Sequence, residues 1–199
     1  MELNGGMEVL AEGGERARDT SELGFKLPEK TATTSDLENI NFLEPSDKTV
    51  NVLKKLNTHI FPVKYQDKFY LDCMSAAPYT TMALHSDFVV GAICCRLEKL
   101  PTGKSRLYIM TLGVFAPYRR RGVGAKLLAN TMKLAKDDPN IQDAYLHVQV
   151  NNDDAIEFYK TFGFEFKETL KNYYRRIEPS DCHVYAREVS DWTDPAPSK

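Results

Sequence analysis

Residues 106–150 read RLYIMTLGVFAPYRRRGVGAKLLANTMKLAKDDPNIQDAYLHVQV, and three patterns follow one another within them. RLYIMTLGVF (106–115) is rich in β-branched and aromatic residues and predicts a strand. Leu127, Leu128, Met132 and Ala135 then recur at helical spacing from Gly124 onward. AYLHVQV (144–150) predicts a second strand. Strand, helix and strand in this succession require a parallel pair joined by a crossover helix. Between the first strand and the helix lies RRRGVG (119–124). Gly122 and Gly124 allow a backbone turn without Cβ obstruction. Consecutive N–H groups at a helix N-terminus, with the dipole behind them, suit a pyrophosphate. Arg119, Arg120 or Arg121 can add charge to a phosphate. A plain turn before a helix reads the same way, so this segment alone does not decide.

Working outward, residues 40–43 predict a short strand. A helix starts at Asp47, with Val50, Leu53, Leu56 and Ile60 at helical spacing, and breaks before Pro62. Residues 66–75 predict a second helix, and 80–85 and 88–97 predict two strands around a tight Ser86-Asp87 turn. Downstream, Asn152 or Asp153 caps a helix carrying Ile156, Phe158, Tyr159 and Phe162. Strands follow in GFEFKETL and around 183–189. The class is α/β, with a mixed, mostly antiparallel sheet of about seven strands. Such sheets place ligands near the carboxyl ends of their parallel strands.

Composition excludes several alternatives. The formal net charge of −2 is far from the basic balance of a dedicated nucleic-acid binder. The four cysteines have no CxxC spacing, so neither a zinc site nor a disulfide framework is expected, and a reducing compartment is the default. No apolar run approaches the roughly 18 residues of a membrane helix, and no secretory segment follows Met1. Residues 1–35 hold 5 of the 11 glycines, one aromatic and 7 acidic against 4 basic residues. They read as a disordered acidic extension, and residues 191–199 as a short flexible tail, around one slightly basic domain over 36–190.

NNDDAIEFYKTFGF (151–164) places Asn151 at a strand end, Ala155 small on a helix, Tyr159 one turn on, and Gly-Phe at the helix close. Together with RRRGVG this resembles the GCN5-related N-acetyltransferase (GNAT) superfamily. Arg119, Gly122 and Gly124 match its acetyl-CoA signature in order and spacing. A Rossmann fingerprint is excluded because Lys126-Leu127, not a third glycine, follows Gly124, and a Walker A motif because no Gly-Lys-Ser/Thr closes the segment. FPVKY (61–65), RLYIMTLGVFAPYRR (106–120), YLHVQ (145–149) and KNYYRRIEP (171–179) narrow the resemblance to the NatE-type N-alpha-acetyltransferases, over about residues 38–188.

That resemblance implies a GNAT fold with a splayed parallel pair. It implies transfer of acetyl from acetyl-CoA, without a metal, to the α-amino group of protein N-terminal peptides, with Met and a hydrophobic second residue preferred. By the same resemblance, Tyr108 and His147 are the pair that deprotonates the amine through a water. Phe61, Pro62, Val63, Tyr65, Met110, Tyr173, Tyr174 and Ile177 shape the peptide pocket, and Arg96 contributes to it. Leu112, Val114, Arg119, Arg120, Arg121, Gly122, Val123 and Gly124 contact acetyl-CoA, and Asn151 and Tyr159 line its thioester end. The implied partners are NatA-type subunits and the ribosome, in the cytoplasm and also the nucleus, with no membrane and no sequence-specific nucleic acid.

Alternation offers an independent check. Tyr108, Met110 and Leu112 should share one strand face, and Tyr145, His147 and Gln149 should share another. His147, at a reference pKa of about 6.5, suits a modest base, while Tyr108, at about 10, suits a hydrogen-bonding organiser. Tyr159 is the candidate donor to the leaving thiolate, and a strand N–H near Leu112 the candidate oxyanion donor. Cys94 and Cys95 read as packing residues. Two competing readings remain: an acetyltransferase for internal lysines or small amines, and a non-catalytic acetyl-CoA-binding subunit of a larger complex.

Overall fold

The computed structural model describes residues 39–175 and 177–193. The extension expected over residues 1–35 and the end of the tail lie outside the described residues. The elements follow the expected order: β1 (Asn41–Leu43), α1 (Val50–Ile60), α2 (Asp67–Ser75), β2 (Thr81–His85), β3 (Phe88–Lys99), β4 (Ser105–Val114), α3 (Val123–Asp137), β5 (Ile141–Gln149), α4 (Asp153–Thr161), β6 (Glu165–Leu170) and β7 (Cys182–Glu188). Helix α1 begins three residues later than Asp47. Thr49 and Val50 both donate to the Ser46 carbonyl there, closing a turn before the helix proper. Asn152 caps α4, its side chain accepting from the Ala155 N–H. That satisfies one of the N–H groups a helix start leaves open.

The strands form one seven-stranded sheet in the order β1-β2-β3-β4-β5-β7-β6. β1 to β4 make an antiparallel meander, and α3 carries the chain across to β5, parallel to β4. β7 then inserts between β5 and β6, antiparallel to both. Helices α1 and α2 lie on one face, where Asn57 of α1 reaches Cys94 of β3. Helix α3 covers the other face, its Leu127 packing over Gly91 of β3. Leu53, Leu56, Ile93, Leu107, Ile109, Leu127 and Leu128 are fully enclosed between these layers.

Two irregularities position the site. The first is a bulge in β4. Cys94 pairs with Thr111 but Cys95 pairs with Ile109, so Met110 is an extra residue opposite β3. An inserted residue inverts the alternation beyond it. Tyr108 therefore shares its face with Thr111 and Gly113, not with Leu112. The expectation that Tyr108, Met110 and Leu112 present one face is corrected: Leu112 turns with Val114 toward α3. The second irregularity is a splay. Parallel pairing runs from Ser105↔Ile141 to Ile109↔Leu146 and stops, while β4 continues to Val114 and β5 to Gln149. β7 keeps the far edge of β5 paired as far as Gln149, so the opening lies between β4 and β5.

Past the boundary expected at residue 190, Trp192 still packs into the core. Trp192 is 2% exposed, stacks on Phe162 with ring centroids 6.2 Å apart, and accepts a 2.7 Å hydrogen bond from Lys136 through its carbonyl. A lone tryptophan in a polar stretch has no periodicity to mark it as core, but its area makes burial worthwhile once a slot exists.

Candidate active site

The splay exposes main chain. Phe115 donates its N–H to Val90 of β3. By strand alternation, Leu112 and Val114 direct their N–H and C=O groups the other way, into the gap that β5 has left. The Val114 carbonyl is taken by Arg119 Nε at 3.0 Å, which draws the chain round into RRRGVG. Arg120 has φ +57° and Gly122 φ +80°, so the segment closes through left-handed residues onto the N-terminus of α3. Apart from its chain neighbours, no described residue comes within 4 Å of where a Cβ on Gly122 would stand.

A cavity of about 300 Å³ opens at this point. Val114, Arg119, Arg120, Gly122, Val123 and Gly124, all expected at the cofactor, line it together with Ile60, Gly113, Tyr118, Asp154 and Phe158. Arg120 pairs with Asp154 across its rim at 3.4 Å. The Arg121 Nη1 atom is buried without a hydrogen-bond partner among the described residues. First-turn amides of α3 and a glycine cradle form a donor set that fits a pyrophosphate, while Arg121, expected at the cofactor, does not line the cavity. Asn151 sits exposed in the turn before α4 and does not line the cavity. Neither does Tyr159, which is fully buried, its hydroxyl unpartnered among the described residues. Asp154 and Phe158 take that wall instead. Their spacing of one helical turn puts both on one face of α4, a signal that was present in the sequence but attached to no motif.

On the α1/α2 face the strand side chains converge. Tyr108 Oη lies 3.0 Å from His147 Nδ1, just where β4 and β5 part. Tyr173 stacks on the His147 ring at 4.5 Å, and its hydroxyl lies 3.3 Å from the same nitrogen. Tyr173 and Tyr174 belong to the β6–β7 loop, which is pinned at several points. Tyr174 donates its N–H to the Ser180 carbonyl, Asn172 to Asp181 Oδ1, and Gln149 Nε2 to the Pro179 carbonyl at 2.8 Å. His147 and Gln149, sharing a face as expected, thus both meet this loop.

From the other side, Phe61 ends α1 buried against Gly113: its Cζ lies 2.9 Å from where a Gly113 Cβ would be. Tyr65 stands edge-on to Phe61. Met110 is buried, Val63 and Ile177 are half-buried and Pro62 is exposed. Arg96 lies over the Tyr108 ring at 5.2 Å, its guanidinium committed to Glu98.

Burial sets the protonation states. It pulls His147 down from 6.5 to about 4, helped by Arg106 and Arg96 and opposed by Glu98. The reference value expected for His147 is therefore corrected: this imidazole is neutral well below pH 6.5. Burial, with the neighbouring Tyr173 and Tyr145, pushes the Tyr108 phenol well above 10. Burial does the same to Tyr159. Cys73, Cys94, Cys95 and Cys182 are buried free thiols, and no group of His, Cys, Asp and Glu able to hold a metal occurs among the described residues.

Comparison with known proteins agrees with this geometry. The model of the acetyltransferase (GNAT) family matches residues 47–164. A protein named probable N-acetyltransferase san, from Drosophila melanogaster, is 51% identical over 140 residues, 70% of this chain and 76% of its own length. N-alpha-acetyltransferase 50 from Danio rerio is 49% identical over 140 residues, 70% of this chain and 83% of its own. The structure of Arabidopsis thaliana Naa50 in complex with the bisubstrate analogue CoA-Ac-MVNAL aligns with a TM-score of 0.71 at 49% identity, covering 74% of this chain and 97% of that one. The chain belongs to the acetyltransferase (GNAT) family, on its N-alpha-acetyltransferase 50 branch.

Proposed function

We propose that this protein transfers acetyl from acetyl-CoA to the α-amino group of protein N-termini that begin with Met and a hydrophobic residue. The observation that carries the reading is the Tyr108–His147 contact of 3.0 Å at the mouth of the splay, beside main-chain donors that β5 no longer engages. Acetyl-CoA supplies the activated acetyl group as a thioester. The N–H groups of Leu112 and Val114 face the position where charge develops on the carbonyl oxygen and are the donors for it. First-turn amides of α3, with Arg119 and Arg120, hold the phosphates.

An α-amino group has a pKa of about 7.7–8.0, so a useful fraction is neutral near pH 7. The chain must only accept the proton shed as the N–C bond forms. Neutral His147 offers a lone pair at Nδ1, and Tyr108, still protonated, donates to it. A water at the Tyr108 hydroxyl passes the amine proton to its oxygen as the Tyr108 proton moves to His147. Tyr159, fully buried and off the cavity wall, keeps its proton, and the departing thiolate is protonated from water.

The pocket walls in this reading are Phe61, Val63, Met110 and Ile177, all apolar, two of them buried and two half-buried, with tyrosines at the loop side. They favour a methionine followed by an apolar residue over Ser or Asp. The Arabidopsis thaliana relative was solved with an analogue carrying MVNAL, which supports the same acceptor class. NatA-type subunits and the ribosome are the partners in this reading, and the cytoplasm and nucleus the locations. CoA release should be measured with Met-Leu, Ser-, Asp- and lysine-presenting peptides. Met-Leu peptides should be far ahead; equal rates on an internal lysine would sink the reading.

A further inference from the structure

The Tyr108 ring is held from both sides. Arg96 of β3, Tyr108 of β4 and Tyr145 of β5 form one row across the sheet. The Arg96 guanidinium carbon lies 5.2 Å from the Tyr108 ring centroid, and the Tyr145 ring stacks on Tyr108 at 4.7 Å with 19° between planes. Stacking alone leaves each flank free to slide or change rotamer, since cation–π and aromatic contacts are shallow. Glu98, two residues beyond Arg96 on the same face, supplies the missing restraint. Its Oε1 accepts from Arg96 Nε at 3.1 Å and Nη2 at 2.5 Å, and its Oε2 accepts from the Tyr145 hydroxyl at 2.6 Å. One carboxylate clips the two flanks of Tyr108 together through short charge-assisted bonds.

We propose that Glu98 is a positioning residue for amine deprotonation: by joining Arg96 to Tyr145 it sets the plane of the Tyr108 ring, and hence where the Tyr108 hydroxyl meets His147. This rests on the reading of Tyr108 and His147 as the proton-accepting pair. Among the described residues, no other carboxylate hydrogen-bonds both Arg96 and Tyr145. Asp72 of α2 stands 3.8 Å from Arg96 Nη1, beyond hydrogen-bond reach. Arg106 lies over the outer side of Tyr145 at 4.0 Å and is itself held by Asp143 at 2.7 Å. Tyr173 reaches His147 from the loop, its hydroxyl 3.3 Å from Nδ1.

The test compares Glu98→Gln, Glu98→Ala, Tyr145→Phe and the Glu98→Ala/Tyr145→Phe double variant with wild type in steady-state acetylation of a Met-Leu peptide. Thermal unfolding is followed in parallel, and Glu165→Gln on the β6 edge serves as the surface control. Each single alanine or phenylalanine variant should lose about tenfold in kcat with the peptide KM within about twofold. The double variant should be no worse than the worse single, because both remove the same bond. Glu98→Gln should fall between wild type and Glu98→Ala, since its amide oxygen retains one acceptor. If Glu98→Ala does not fold, Glu98→Gln with Tyr145→Phe carries the same comparison. An unchanged kcat, a loss confined to KM, or losses that multiply in the double variant would overturn the positioning role while leaving the acetyltransferase reading intact. A wild-type protein that does not acetylate the peptide would overturn both.

Discussion

Tyr173 competes with Tyr108 for a single nitrogen of His147: the two hydroxyls stand 3.3 Å and 3.0 Å from Nδ1. A neutral imidazole has one in-plane lone pair, so only one of the two hydroxyls donates to it. The shorter contact assigns the donor to Tyr108, with the Tyr173 hydroxyl a second hydrogen-bonding neighbour of Tyr108. Tyr108→Phe should therefore cost roughly 10²–10⁴-fold in kcat, the range of general acid–base contributions. Tyr173→Phe should cost about tenfold and act mainly through the peptide KM. Steady-state kinetics on both variants checks the division; equal losses in kcat would reverse it.

His147 makes folding pH-sensitive. Its folded pKa of about 4 lies below the reference value of about 6.5. The unfolded chain takes up this proton first, so the stability contributed by neutral His147 is complete above about pH 6.5 and lost as pH falls to about 4. The upper bound is roughly 3 kcal/mol, from about 1.36 kcal/mol per pKa unit. Asp67, Asp138 and Asp181, lowered by Lys54, Tyr79 and Lys171 respectively, titrate below this window. Urea unfolding at pH 7 and pH 4.5 should show the drop in wild type and a smaller one in His147→Gln.

Activity should follow a different group. With His147 neutral throughout pH 6–9, kcat/KM should rise with deprotonation of the substrate amine and inflect near 7.7–8.0. His147→Gln should lower the plateau without moving the inflection. An inflection near 6.5 that vanishes in the variant would mean that His147 titrates in that range.

Gly122 and Gly124 are not equivalent. At φ +80°, an alanine at position 122 adopts a left-handed backbone that costs roughly 1–2 kcal/mol. A Cβ on Gly124 meets Phe158 and Val114 at 3.9 Å, an ordinary contact. Gly122→Ala should lower the melting temperature and raise the acetyl-CoA KM, whereas Gly124→Ala should leave the melting temperature nearly unchanged. Thermal scans with and without acetyl-CoA separate the two effects.

Trp192 closes the core over Phe162, with Arg187 across its ring at 4.9 Å. Trp192→Ala should destabilise the fold by about 3–5 kcal/mol, the range for large aromatic truncations. Chemical denaturation measures it, and a loss under 1 kcal/mol would mean that the residue is a tail after all.

Much of the fold was legible because its signals are local. Helical spacing in 124–135, β-rich runs on either side, and glycines between strand and helix announce a parallel crossover with an anion-binding turn, whatever the remainder of the chain does. Arg119 and Gly122 were likewise readable from type and spacing, whereas Tyr108 and His147 were singled out by the resemblance to the NatE-type acetyltransferases. Glu98 and Tyr145 were not, because their roles depend on which side chains neighbouring strands place beside Tyr108.

The sequence by itself determined the order of elements and the strand–turn–helix that holds the anion site, and its family resemblance pointed to the tyrosine–histidine pair. Tertiary structure decided the rest. The extra residue at Met110 is visible only as a slip of register against Cys94 and Cys95, and it turns Leu112 away from the face of Tyr108. The splay shows only in the pairing, where β4 and β5 part after Ile109↔Leu146 while β7 stays with β5 to Gln149, and pairing between distant strands leaves no periodic trace in either. The depressed pKa of His147 comes from burial among neighbouring strands and a distant loop. Alternation and helical spacing are properties of a few consecutive residues. Register, edge order and dielectric are properties of what the folded chain brings next to them.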